Sequence, residues 1–222
     1  MLVIQFIIGA VLGSFLFASY FRLSTGGNLF RPSRSHCDSC LVTIDWFDLI
    51  PIFSYLMLRG RCRQCGQTIP KAALASELFF ASLLLYWRPT LISTLYLLAG
   101  SLLFFMAVSD ARFLTFPVSF DYGLMLCAIT GYVLFNRHYL MVFVIVLLWL
   151  GLQLFEPHFA WIGSGDLDVF LSLLVLLGLI PFAWLLLLSS LLALITSQIV
   201  KQRRLPFIPF VAAAYLIVLL FI

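Results

Sequence analysis

Charge is scarce in this chain: Asp and Glu number 9 and Lys and Arg 13 among 222 residues, 10% of the sequence against 64% hydrophobic. So little charge cannot cover a water-soluble surface, and apolar runs near twenty residues recur after position 71, the length that crosses a bilayer as a helix. The alternation of a barrel strand is missing, which leaves helices, because backbone polar groups in lipid must be satisfied within the segment. No low-complexity linker and no internal repeat is visible. No basic segment precedes the first apolar run: the first positive charge, Arg22, follows it, the pattern of an uncleaved span with its N-terminus outside. The expected fold class is therefore all-α, a polytopic membrane protein. The net charge of +4 is no nucleic-acid signal, because the basic residues sit at membrane edges.

Pro, Gly and charge punctuation divides the apolar sequence into expected spans 2–21, 72–87, 90–109, 118–135, 139–155, 166–180, 182–200 and 206–222. Splitting 166–200 at Pro181 follows from length, since the whole segment is too long for a bilayer of ~30 Å at ~1.5 Å per residue. Seven of the thirteen basic residues fall between Arg22 and Lys71, and a second cluster is Lys201, Arg203 and Arg204. Placing both in the cytoplasm requires an even number of crossings between them, and six satisfy this. Both termini are then outside, and the links Asp110 to Phe116 and Glu156 to Gly165 face the cytoplasm with the loop. The expected organisation is a first span (1–21), a cytoplasmic loop (22–71) and a multi-helix membrane domain (72–222).

Four of the five cysteines lie in that loop, as Cys37-Asp38-Ser39-Cys40 and, after 21 residues, Cys62-Arg63-Gln64-Cys65 followed by Gly66. Two thiolate pairs so spaced close a tetrahedral site, and in a reduced compartment four soft sulfurs select zinc or an iron–sulfur centre over disulfides. His36 adjoins Cys37, but Cys37, Cys40, Cys62 and Cys65 already complete the coordination number. A loop of about fifty residues with little apolar content cannot bury a core, so the metal's expected role is structural. Cys127, alone in a span, is read as a small buried hydrophobe.

Acids in apolar spans cost about 2.5–3.5 kcal/mol at a helix centre, so each calls for a reason. Asp110 ends the third span, and Asp166 opens the sixth in Gly163-Ser164-Gly165-Asp166; both are expected at the cytoplasmic face. Paired carboxyls activate water by sharing a proton, one acting as base and one as acid. Gly163 and Gly165 clear space beside Asp166 for a substrate backbone. The helix dipole assigns the charge to Asp166, at a helix start, and the proton to Asp110, at a helix end. Asp168 lies about 200° round the helix from Asp166; Asp121 caps or lines the fourth span. Glu77 is a functional candidate that also suits pairing with Lys71 or Arg112.

Three blocks together resemble the type IV prepilin peptidase family, including its Gram-positive competence-type members. They are Gly13-Ser14-Phe15-Leu16 with Arg31 through Cys40 and Asp48 through Cys65; Asp110 with Pro117; and Gly163-Ser164-Gly165-Asp166. The resemblance implies a membrane-embedded aspartic endopeptidase of the inner or plasma membrane that removes basic leaders after Gly from prepilin or pseudopilin-like proteins. It implies Asp110 and Asp166 as the catalytic pair; Gly163, Gly165 and Glu77 are read as supporting residues from their own chemistry. Many members also methylate the new N-terminus from S-adenosylmethionine, and their cysteine loop is associated with zinc and with that second activity. Two positions depart: Asp168 stands where the family often has Lys, and Val118 where it often has an acid. Competing readings are a proton-coupled transporter using Asp110, Asp166 and Glu77, against which both aspartates are expected at one face, and a zinc-stapled assembly scaffold.

Overall fold

The computed structural model describes residues 1–26, 34–136, 139–155, 164–200 and 205–221. Among these the regular structure is helical, and the only β pairing is two isolated antiparallel bridges, His36 with Thr43 and Arg61 with Thr68. The long helices are α1 (Leu2–Ser24), α3 (Lys71–Leu85), α4 (Leu91–Phe113), α5 (Val118–Asn136), α6 (Tyr139–Phe155), α7 (Ser164–Leu177), α8 (Leu179–Val200) and α9 (Ile208–Val218), with a short α2 (Phe53–Met57) in the loop. Among the described residues three segments, Leu2–Ser24, Leu91–Phe113 and Leu179–Ile199, are long and apolar enough to cross a membrane. The chain forms two compact units, Met1–Tyr86 and Trp87–Ile222.

In the first unit α1 packs antiparallel on α3 through glycines. A Cβ at Gly13 would lie 2.5 Å from the Ser76 carbonyl oxygen, and one at Gly9 would strike the Phe80 carbonyl. This is a small-xxx-small contact, in which missing side chains let two backbones approach and pack by dispersion. The spacing Gly9–Gly13 was present in the sequence and unread there.

The loop does contain a repeat. Cys37 N–H bonds the Val42 carbonyl and Leu41 N–H the Cys37 carbonyl; 25 positions on (62 − 37), Cys62 N–H bonds the Gln67 carbonyl and Gly66 N–H the Cys62 carbonyl. Each knuckle turns at a left-handed residue, Leu41 (φ 57°) and Gly66 (φ 70°). Glycine takes this conformation without strain; Leu41 holds it at a cost that the closed knuckle must offset. Between the knuckles a 3₁₀ turn (Trp46–Leu49) leads to α2 through Ile52, whose φ of 63° and ψ of −52° with a Phe53 N–H to Pro51 carbonyl bond of 2.6 Å make a strained γ-turn.

In the second unit α4 packs on α5 and α9, α5 on α7, and α8 on α9. Leu103, Met106, Leu124, Met125, Leu173 and Tyr215 are sealed in its core, and the Tyr215 hydroxyl donates to the Tyr96 carbonyl at 2.9 Å. Two of the boundaries that differ from expectation have a stop visible in the backbone. Helix α4 runs through Asp110 to Phe113, because Leu114 takes the left-handed conformation (φ 54°) and its N–H caps the Asp110 carbonyl. The break between α7 and α8 falls at Gly178 (φ 81°) instead of Pro181, which sits in the first turn of α8, where its missing N–H costs nothing.

Candidate active site and metal centre

In the first unit the two knuckles bring the sulfurs of Cys37, Cys40, Cys62 and Cys65 within 4.8 Å of one another, with Cys37 and Cys65 Sγ 3.8 Å apart. Zn–S bonds of ~2.3 Å in a tetrahedron require sulfur separations of about 3.8 Å, so the donor set fits a single metal ion such as zinc. Amides of Cys40 and Ser39 point at Cys37 and draw its thiol down to about 6. The Gln67 amide acts likewise on Cys65, but burial and hydrogen bonds among the thiols outweigh it and leave Cys65 at about 11. Alone, then, Cys37 and Cys65 hold their protons unequally, and a cation among the four sulfurs would stabilise them as thiolates. The second knuckle is tied to the 3₁₀ turn by a bidentate Arg63–Asp48 pair at 2.7 and 2.8 Å, with the guanidinium 5.1 Å from the Phe47 ring centre.

Glu77 is buried on α3 and accepts the Ile52 N–H at 2.7 Å, a backbone donor in place of the Lys71 or Arg112 that the alternative reading offered it. It holds the strained γ-turn against the helix. A cavity of about 320 Å³ lies between, lined by Ser14, His36, Tyr55, Arg63, Gln67 and Glu77 among others.

In the second unit Asp110 lies one turn before the end of α4, 8% exposed, and Asp166 in the first turn of α7. The link that follows Asp110 reaches α7: a Cβ at Gly165 would lie 2.8 Å from Phe116 Cζ, so the absence of a side chain at Gly165 is what lets the ring seat there. Asp110 Oδ2 accepts the Ile208 N–H at 3.1 Å, at the start of α9. Both aspartates therefore stand at helix N-termini, and the dipole argument that gave the proton to Asp110 loses its asymmetry. Gly163 lies outside the described residues, as do Glu156 and the Lys201, Arg203 and Arg204 cluster.

A second pair of acids is joined nearby in the chain. Gln153 on α6 donates through Nε2 to Asp121 Oδ2 at 3.2 Å and to Asp168 Oδ2 at 3.0 Å. Asp121 is the fourth residue of α5 and 2% exposed, so it lines the helix interface instead of capping it. The amide clamps α5, α6 and α7 together behind the turn that carries Asp166. Gln153 was overlooked although it is the one amide side chain in the apolar run 139–155, and a polar group there normally marks a helix–helix contact. Cys127 is buried, as expected of a small hydrophobe.

Residues 7–89, nearly the extent of the first unit, match the family described as Bacterial Peptidase A24 N-terminal domain. Along its whole length the chain is 29% identical to the prepilin leader peptidase/N-methyltransferase of Bacillus subtilis, covering 94% of that protein. It is 27% identical to the Vibrio cholerae protein of the same name over 87% of this chain and 84% of that one. A Myxococcus xanthus protein, again of that name, is 35% identical over 57% of this chain and 39% of its own length. No solved structure matches the chain. The match of residues 7–89 to the A24 N-terminal domain, the full-length similarity and the cysteine cluster agree with the residue blocks read from the sequence: the chain is similar along its whole length to bacterial prepilin leader peptidases.

Proposed function

We propose that the protein is a membrane-embedded aspartic endopeptidase that cuts the leader from type IV prepilin-like proteins after a glycine, with Asp110 and Asp166 as its catalytic carboxyls. The observation that carries this is the seating of Phe116, six residues past Asp110, against Gly165, the residue before Asp166. It supports a site built from the end of α4 and the start of α7. One carboxylate takes a proton from water as the oxygen attacks the scissile carbonyl carbon; the partner carboxyl gives its proton to the carbonyl oxygen. Collapse of the diol breaks the C–N bond, the leaving nitrogen takes up a proton, and a leader carboxylate and a new N-terminal amine result. Gln153, through Asp168, holds α7 in place while this happens.

All eight long helices cross the plasma membrane in this reading. The loop, the links after Asp110 and before Asp166 and the catalytic face are cytoplasmic, and both termini are outside, following the distribution of basic residues. Cys37, Cys40, Cys62 and Cys65 hold one structural zinc; bound there, it supplies fixation of the loop and no step of the hydrolysis. The names of the relatives add N-methylation, and the reading extends to it, with S-adenosylmethionine as donor to the new amine.

The test uses the full chain in vesicles with a prepilin-like peptide that carries Gly before its apolar segment. Mass spectrometry is expected to find a single cut after that Gly, lost when a bulky residue replaces it. An intact peptide, or a cut elsewhere, would overturn the assignment.

A further inference from the structure

The loop segment 46–57 leaves a set of large apolar side chains bare. Trp46 is 75% exposed, Phe53 57%, Leu56 64% and Met57 65%, while Phe47, Leu49 and Ile50 are exposed by 40% or more. A patch of this kind on a small stapled loop marks a surface that meets something apolar.

Its position along the helices says what that is. The Ile52 amide is bonded to Glu77, six residues into α3 from Lys71, or ~9 Å at ~1.5 Å per residue. Helix α1 runs antiparallel beside it, with Gly13 opposite Ser76, and its first charge, Arg22, lies nine residues further on, ~14 Å along the axis. The γ-turn at Ile52 thus lies ~9 Å below the first charge of α3 and ~14 Å below that of α1, at and just past the depth of ~5–10 Å to which interfacial segments bury their apolar face. Trp is the side chain most at home at that level. On leaving the segment the chain presents exposed Arg59 and Arg61, with exposed Lys71 beyond, all suited to anionic headgroups.

We infer that Trp46–Met57 lies in the headgroup–acyl boundary of the bilayer beside α1 and α3, making the metal-stapled loop a lipid-binding surface with a preference for anionic headgroups. The inference rests on the reading that α1 and α3 span the membrane. The buried Glu77 is then the anchor: it satisfies the one N–H of the γ-turn that would otherwise face hydrocarbon.

The test places the full chain in phosphatidylcholine–phosphatidylglycerol vesicles whose acyl chains are brominated near the headgroup. Emission from Trp46 is taken as the difference between wild type and Trp46→Phe, with Trp46→Tyr as a second reference should the first fold poorly. Bromine is expected to remove about half of that emission or more, while iodide in the water changes it little. Quenching by iodide alone would put the segment in water; quenching by neither would mean that protein covers it; either result overturns the inference. Retention of the chain through an alkaline carbonate wash reports on the spans separately. Peptide cleavage in the same vesicles separates this inference from the peptidase reading: quenching without cleavage sinks only the latter, cleavage without quenching only the former.

Discussion

Asp110→Asn and Asp166→Asn are each expected to lower kcat/KM for leader cleavage by about a thousand-fold or more, the loss that follows when a group acting as one of a proton-sharing pair is removed. The amide keeps the size of the carboxyl, and at position 110 its oxygen still accepts the Ile208 N–H, so helix content and thermal stability should stay near wild type. What disappears is the base in one state and the acid in the other. Because the two carboxyls act together, the double variant should be no slower than either single one. Kinetics on the Gly-bearing peptide check this. A double variant slower than both singles by the product of their losses would mean independent roles, and retained activity in either single variant would remove that aspartate from the chemistry.

Stripping the metal is expected to unfold the loop and leave the helices of the second unit intact. The loop has two knuckles, a 3₁₀ turn and five residues of α2, none with a fully buried apolar side chain, so the cross-link between the knuckles is its source of order. Apparent binding energies of ~10–16 kcal/mol for structural zinc in small tetrathiolate and related sites are folding energies, and losing them exceeds what the Arg63–Asp48 pair or one backbone bond restores. Elemental analysis should find one zinc per chain in wild type and almost none in Cys62→Ser. Trypsin should then cut at Arg59 and Arg61 in the variant, or after chelation, while both resist in the metal-bound protein. A loop equally resistant in both forms, or wild-type protein free of zinc, would refute the structural metal.

The sequence reading found the helices because apolar length is a local property. Their ends were harder. Helix α4 was expected to stop at 109 because Asp110 and Arg112 are polar, yet a left-handed Leu114 supplies the stop one turn later, and no composition rule predicts a leucine in that role. The break before α8 was assigned to Pro181, a residue that begins helices as readily as it ends them, while Gly178, three positions earlier, holds the positive φ.

The metal cluster was legible from spacing alone, since the two Cys-x-x-Cys turns fix their own geometry. The contacts that set function were not. Glu77 was read as a functional candidate, with Lys71 or Arg112 as alternative partners on charge grounds, whereas the donor it has is an amide 25 residues away whose direction depends on a strained turn. Gln153 joins Asp121 and Asp168 across three helices, and that meeting is a matter of helix rotation. The dipole argument for unequal roles of Asp110 and Asp166 lost its asymmetry for a similar reason: the start of α9 arrives at Asp110 from 98 residues further along the chain.

The most direct test of the central claim is a cross-linking measurement on Asp110→Cys with Asp166→Cys, in protein whose loop thiols are held by zinc and in which Cys127 is replaced by Ala. A bis-thiosulfonate reagent that reaches across a few ångströms is applied to vesicles from the cytoplasmic side, and the linked peptides are identified by mass spectrometry. A linkage joining positions 110 and 166 in most chains is the predicted result; modification of each cysteine singly, with no bridge at any length of exposure, would contradict a shared site.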